Sequence, residues 1–261
     1  MELEILISCM HQSDASIIKR TNIQTDVVVV NQCSTVAQKA FEFSNEFGKT
    51  CRALFINTNE RGLSRSRNMA IRNASADICL FCDDDEYLNS NYSEIILSEF
   101  EKNASIDVIA FIIDRPRKNY SKYRSKVGYL KALHISSVQI AFRRSKILSK
   151  NISFNEKMGS GTGNGAGEEI KFLYDCLHAG LNILYVPISI GRLVNEDSQW
   201  FSGYDKTYFI NRGWANKMIF GTFVASLYNI YFSIAKYKLY RTNVSFVKSL
   251  YYQFNGTFSK R

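Results

Sequence analysis

Two hydrophobic periods alternate along the first 115 residues of the chain. Near-continuous apolar runs at 4–9, 26–30, 52–56, 78–82 and 108–113 predict strands, and Val27-Val28-Val29-Val30 suits a strand covered on both faces. Between them, 13–20, 35–47, 63–74 and 92–102 predict helices. Strand, helix, strand, repeated, predicts an α/β fold with a doubly wound, mainly parallel sheet flanked by helices. Further along, 138–142 and 182–186 predict strands, the second closed by Pro187, and 168–179 predicts a helix capped by Gly180. Ligands of such sheets sit beyond the carboxyl ends of the strands, so the residues after each strand are where chemistry is sought.

The length of 261 residues suits one large domain or a domain with an appendage. With 33 basic and 24 acidic side chains the formal charge is +9, which raises nucleic acid as a partner. The placement of that charge argues otherwise. Residues 1–205 hold 24 basic and all 24 acidic side chains, whereas 206–261 hold the other nine basic residues and no acid. Of 35 aromatic residues, 18 lie between Trp200 and Phe258. The expectation is a neutral body, 1–205, carrying a basic, aromatic, helical tail, 206–261. A tail this apolar is a poor electrostatic footprint for phosphates along a duplex. Six dispersed cysteines and a start on a strand-like segment without a basic leader predict a reducing, cytoplasmic setting and no disulfides. Cys79-x-x-Cys82 has no second Cys/His pair to complete a zinc site and reads as core.

Three features carry candidate chemistry. Four consecutive acids, Asp83-Asp84-Asp85-Glu86, close the apolar run 78–82. Carboxylates about 5 Å apart repel by roughly 3 kcal/mol per pair at an effective dielectric near 20, so such a cluster calls for a cation. In extended backbone Asp83 and Asp85 share one side while Asp84 turns off it, a spacing that suits a divalent metal with positions left for water and phosphate. An acidic helix cap in solvent is the plain alternative. Upstream, Glu60-Arg-Gly-Leu-Ser-Arg-Ser-Arg-Asn68 opens a helix, where Arg61, Arg65 and Arg67 form an anion-attracting corner and Gly62 permits close approach. Third, five glycines at alternate positions, 159 to 167, lead into Glu168-Glu169 at the start of a helix. There a carboxylate base could be kept ionised by the helix terminus, with the glycine run as a flexible lid, although first-turn acids also serve structure alone. No G-x-x-x-x-G-K-[ST] is present, so the run is not a P-loop. The basic stretch 115–155, with eleven basic residues and no acid, reads as a solvated loop region, and His11, His134 and His178 share no ligand spacing.

Taken in order, Glu60-Arg-Gly-Leu-Ser-Arg-Ser-Arg-Asn-Met-Ala-Ile, Ala76-Asp-Ile-Cys-Leu-Phe-Cys-Asp-Asp-Asp, Gly167-Glu-Glu-Ile-Lys-Phe-Leu-Tyr-Asp-Cys-Leu and Leu181-Asn-Ile-Leu-Tyr-Val-Pro resemble family 2 glycosyltransferases, inverting enzymes of the GT-A fold. The resemblance covers roughly residues 3–210 and is nearest the bacterial surface-polysaccharide branch, O-antigen or capsule. It implies that Arg61, Gly62, Leu63, Arg67 and Asn68 bind the nucleotide sugar, together with Asp83 and Asp84. It also implies that Asp83 and Asp85 hold Mn2+ or Mg2+ as a DxD motif, and that of the acidic pair Glu168 and Glu169 the second is the base. Two departures stand out. Where many relatives end the second strand with an aspartate, this chain has Val30-Asn-Gln-Cys-Ser34, which leaves Asn31 or Gln32 to hydrogen-bond the nucleotide. Where relatives often carry a histidine after the strand that follows the acidic helix, it has Asn195.

The resemblance implies transfer from a nucleoside-diphosphate sugar, UDP-linked in the first instance, to a hydroxyl of a polyprenyl-diphosphate-linked glycan. The tail suggests where that acceptor is met. Residues 218–235 are 18 uncharged positions between Lys217 and Lys236, and Thr222, Ser226, Asn229 and Ser233 fall on one helical stripe. A polar stripe with apolar, aromatic flanks predicts a helix lying in the interface of an anionic membrane, peripherally attached to the inner face of the plasma membrane. A soluble acceptor, with the tail serving a homodimer, and an inactive module that binds a sugar nucleotide or membrane are the alternatives.

Overall fold

The computed structural model describes residues 1–116, 118–165, 167–194 and 203–260. Asn195 lies outside the described residues. The body runs β1 (Leu3–Met10), α1 (Ile17–Arg20), β2 (Asp26–Gln32), β3 (Ala37–Ser44), β4 (Thr50–Thr58), α2 (Leu63–Asn73), β5 (Ile78–Asp83), β6 (Glu86–Leu88), α3 (Tyr92–Lys102) and β7 (Val108–Asp114). It continues through β8 (Ser125–Lys126), α4 (Tyr129–Ala132), β9 (Ile140–Arg143), α5 (Arg144–Ser149), α6 (Glu168–His178) and β10 (Ile183–Leu193). Three further helices follow: α7 (Lys206–Ala235), α8 (Tyr237–Tyr240) and α9 (Phe246–Thr257).

The strands form one ten-stranded sheet in the order β3-β4-β2-β1-β5-β9-β7-β10-β6, with β8 paired to β10. Its β4-β2-β1-β5 part is parallel, as the alternating pattern predicts. On the other side β9 runs antiparallel between β5 and β7. Both faces are covered. Val28 and Val30 belong to one core and Val27 and Val29 to the other, all fully buried, so the valine run does mark a strand buried on both sides. Cys79 and Cys82 point into opposite cores, and all six cysteines are free.

Segment 35–47 is not a helix. It forms edge strand β3, antiparallel to β4 from Ala37↔Asn57 to Ser44↔Thr50. Phe41 and Phe43 sit two apart and pack together onto the core, a period-2 signal that the polar neighbours obscure. The turn closing the hairpin is held by Asn45, whose backbone N–H donates to Lys49 O at 3.0 Å. The predicted helix 13–20 shrinks to the four residues of α1. The strand predicted at 138–142 begins with a 3-10 turn at Ser137–Gln139. Nor does Pro187 end β10, which continues to Leu193 because the proline lies where its register with β7 shifts and no ladder N–H is needed.

The tail is not one straight rod. Gly221 has φ 75° and ψ 165°, far from helical values, and α7 doubles back there. Asn216 Nδ2 consequently donates to Asn229 Oδ1 at 2.7 Å. The arm before Gly221 is built into the body, with Trp214, Ala215 and Ile219 part of its core. The polar stripe is split: Thr222 is exposed and Ser226 half-buried, while Asn229 and Ser233 are fully buried, because α9 packs on them and supplies hydrogen-bond partners.

Candidate active site

The apolar strand β5 delivers its acids at its carboxyl end. Asp83 and Asp85 are half-buried, Asp84 is exposed and Glu86 is buried, where its Oε2 accepts the Asp83 N–H at 3.2 Å. Crowding by surrounding protein first, though Asp84 keeps much of its surface open to solvent, and then the charge of Asp83, raise the carboxyls of Asp84 and Asp85 from their ordinary value. A turn that crowds three carboxylates in this way is short of positive charge. Its hard oxygen donors fit Mg2+ or Mn2+ held by one or two carboxylates. Among the described residues no group of three or more His, Cys, Asp or Glu assembles as a metal cage, so the remaining positions would fall to water or substrate.

The arginines of α2 do not converge on one corner. Arg61 is exposed and donates to the carbonyls of Cys33 and Thr58 at 3.0 and 3.2 Å. Arg65 is exposed between Glu60 and Glu156. Arg67, two residues on and therefore on another helix face, is 1% exposed. Its guanidinium reaches Asp83 Oδ1 at 3.0 Å, Glu168 Oε1 at 3.1 Å and Ser137 Oγ at 2.7 Å, over the Phe154 ring. Burial works against this cation, and the carboxylates of Asp83, Glu168 and Glu169 outweigh burial and lift it. One guanidinium thus joins the acidic end of β5 to the acidic pair of α6.

Asn31, Gln32 and Asn68 are placed beside these groups but are engaged internally. Asn31 is fully buried, donating to Gln12 O and Asn57 Oδ1 and accepting from the Gln12 N–H. Gln32 Oε1 accepts the Gly62 N–H at 2.8 Å and holds the entry to α2. Asn68 brackets the backbone of Phe154, donating to its carbonyl and accepting from its N–H. Leu63 N donates to Ser160 O, tying α2 to the glycine run.

The two ends of that run are packed, while Gly163 between them is exposed with nothing within 4 Å of an added Cβ. A Cβ at Gly159 would lie 3.1 Å from Glu168 Cδ, and one at Gly165 would lie 3.1 Å from Asn211 Cβ. Glu168 is buried and accepts the Gly167 N–H at 3.1 Å. Glu169 keeps some surface on a cavity of about 610 Å3, yet protein hems in its carboxyl. Burial first, and then the Glu168 carboxylate, push Glu169 up to about 8. This corrects the expectation that the helix terminus keeps it ionised: the terminus does act in that direction, and burial wins. Opposite Glu169 the cavity is walled by Tyr208, Arg212, Ile219 and Phe220 of α7. Sequence reading missed Ser137, Phe154 and this wall.

Comparison with curated proteins returns no match. Among solved structures, S. aureus TarS 1-349 in complex with UDP-GlcNAc is similar at TM-score 0.66 and 16% identity, over 98% of this chain and 79% of that one. The same TarS fragment without ligand gives TM-score 0.64 at 15% identity, over 94% and 76%. The mannosyltransferase PcManGT from Pyrobaculum calidifontis, in complex with GDP-Man and Mn2+, gives 0.55 at 13%, over 100% and 88%. These likenesses show the GT-A fold, with a C-terminal helical addition. A family model described as glycosyl transferase family 2 matches residues 8–165, more than half of the chain, and the chain belongs to that family.

Proposed function

We propose that the chain is an inverting transferase that moves a sugar from a nucleoside diphosphate, UDP in the first instance, to a hydroxyl of a lipid-linked glycan in surface-polysaccharide synthesis. The observation that carries this reading is the Arg67 node, which holds Asp83 and Glu168 on one buried guanidinium, with Glu169 next in sequence on the cavity. Donor diphosphate lies at the carboxyl ends of β2, β4 and β5, near Arg61 and the backbone at Gly62. The acceptor enters the cavity between α6 and α7, whose volume and mixed aromatic and polar walls suit a sugar. Glu169 takes the proton of the acceptor hydroxyl, the oxygen forms its bond to the anomeric carbon, and the bond to the diphosphate breaks on the opposite face. Arg67 and Glu168 hold the two acidic elements in register throughout. Mn2+ or Mg2+ on Asp83 and Asp85 would neutralise charge on the leaving diphosphate. TarS with UDP-GlcNAc and PcManGT with GDP-Man and Mn2+ support a nucleotide sugar and a divalent ion. In this reading 1–205 is the donor-binding body, 206–261 the appendage that walls the acceptor site, and the protein works at the cytoplasmic face of the plasma membrane.

The test is a panel of nucleotide sugars with and without Mn2+, followed by thermal shift and by donor hydrolysis. A UDP-sugar that stabilises the protein in the presence of the ion is the expected result. Absence of any response across UDP-, GDP- and TDP-linked donors would overturn the reading.

A further inference from the structure

Helix α7 contains an 18-residue window of mean hydropathy 1.5, long and apolar enough to cross a membrane, with only 28% of it buried in the protein. The reversal at Gly221 removes that possibility. Residues thirteen apart in a straight helix are about 20 Å apart, yet Asn216 and Asn229 are hydrogen-bonded, and the Arg212 guanidinium lies 3.5 Å from the Phe232 ring centroid. The two arms therefore lie side by side. The outer arm, 222–235, is about 21 Å long and α9 about 18 Å, both short of a hydrocarbon core of about 30 Å.

The interior of this helical unit joins an apolar cluster, Phe209, Phe232, Tyr240 and Val244, to a polar network. Its interior is hydrogen-bonded: Asn229 Nδ2 donates to Thr257 Oγ1 at 2.8 Å, and Gln253 Nε2 to Ser233 Oγ at 2.7 Å. The helix backbones touch through Gly213 and Gly256, where an added Cβ would fall 1.9 Å from a facing carbonyl oxygen. Outside, Phe223, Leu227, Tyr231 and Ile234 are 77, 55, 62 and 63% exposed, at the spacing of one helical stripe, and Val247 and Tyr251 of α9 are 73 and 62% exposed. An apolar face of this kind on a soluble protein marks a contact surface. The charged residues of 206–261 themselves are of one sign, nine basic and no acid, with Lys236, Lys238, Arg241 and Lys248 exposed.

We infer that the outer arm of α7 and the outer face of α9 form a docking surface for an anionic lipid bilayer, lying in the interface without crossing it. The apolar stripe enters the boundary between headgroups and acyl chains, and the lysines and arginine meet anionic headgroups. This surface deepens the lipid-linked acceptor reading and rests on it for its purpose: α7 carries the cavity wall on its inner arm and the lipid contact on its outer arm.

The experiment is co-sedimentation of the full chain with phosphatidylcholine vesicles, with and without phosphatidylglycerol, at low and high salt. Binding should require phosphatidylglycerol and weaken with salt. Combined Phe223→Ser, Leu227→Ser and Tyr231→Ser should lower it by about tenfold or more, and combined Lys236→Glu and Lys238→Glu should lower it in the charged vesicles. No vesicle binding by the wild type, or binding unchanged by the triple substitution, would overturn the inference. So would a solution dimer that the triple substitution dissociates in the absence of vesicle binding, because the occupant would then be a second copy. The thermal shift with nucleotide sugar and Mn2+ is read on the same samples and belongs to the transferase reading alone, so either can fail without the other.

Discussion

Arg67→Met removes the charge at the centre of the site while keeping most of the side-chain length. The guanidinium has 2% of its side-chain surface exposed, against 7% for Glu168 and 30% for Asp83. Removing one partner of a buried pair costs about 3–5 kcal/mol, because the other charge is left without compensation. That figure applies to the Glu168 arm. Water reaches the Asp83 arm and screens it, which brings its share down to about 1 kcal/mol or less. The expected loss is therefore about 3–5 kcal/mol, set mainly by Glu168, from a total that is typically ~5–15 kcal/mol for a domain. Urea unfolding followed by far-UV circular dichroism and by tryptophan fluorescence measures it. Because Trp214 lies in the body's core, the two signals should fall together. The same substitution made in a Glu168→Gln background should cost at least about 1 kcal/mol less, whereas an Asp83→Asn background should change it less. A loss below about 1 kcal/mol, or an equal cost in the wild-type and Glu168→Gln backgrounds, would refute the view of Arg67 as the strut between the two acidic elements.

Glu169→Gln should lower transfer by about 10²–10⁴-fold, and the wild-type kcat/KM should rise with pH through about 8, a rise the variant loses. Stability carries the opposite sign: the folded protein holds a proton on Glu169 that the unfolded chain releases near pH ~4.3. Urea stability should thus decline from there to about 8, less steeply in Glu169→Gln. Asp85→Ala should abolish metal-dependent transfer, read by a donor-turnover assay with Mn2+, and leave the unfolding free energy, read by urea unfolding, within about 0.5 kcal/mol of wild type. Gly213→Ala places a Cβ 1.9 Å from Gln253 O and should destabilise by about 1–3 kcal/mol, read as a lower melting temperature.

Much of the body was legible from local pattern. The valine run, the apolar strand that ends in acids and the glutamate pair opening α6 announce themselves because each signal lies within a few consecutive residues. The miss at β3 has the same origin. Edge strands bury little, and with Phe41 and Phe43 as the main apolar contacts the period-2 signal is short. Arg61, Arg65 and Arg67 are equivalent by sequence, and only the approach of β5 and α6 to one face of α2 makes Arg67 a buried strut and leaves the others to solvent. The ionisation of Glu169 is hidden from sequence for a related reason: the helix terminus is visible there, while the burial that outweighs it comes from the packing around α6.

In the tail, the uncharged run was evident and its fold was not. Hydropathy is continuous through Gly221, so nothing in the pattern of 218–235 marks a reversal, and the polar stripe read at helical spacing carries no information about what will cover it. Outside 35–47 and the short α1, the strand and helix periods, the acidic and glycine motifs, and the division of charge along the chain are local properties that depend on neighbours in sequence. Tertiary structure decided which arginine is buried, how Glu169 ionises and which face of α7 is left bare. Those outcomes depend on partners distant in sequence, such as Arg67 with Glu168, 101 residues apart, whose burial no local pattern encodes.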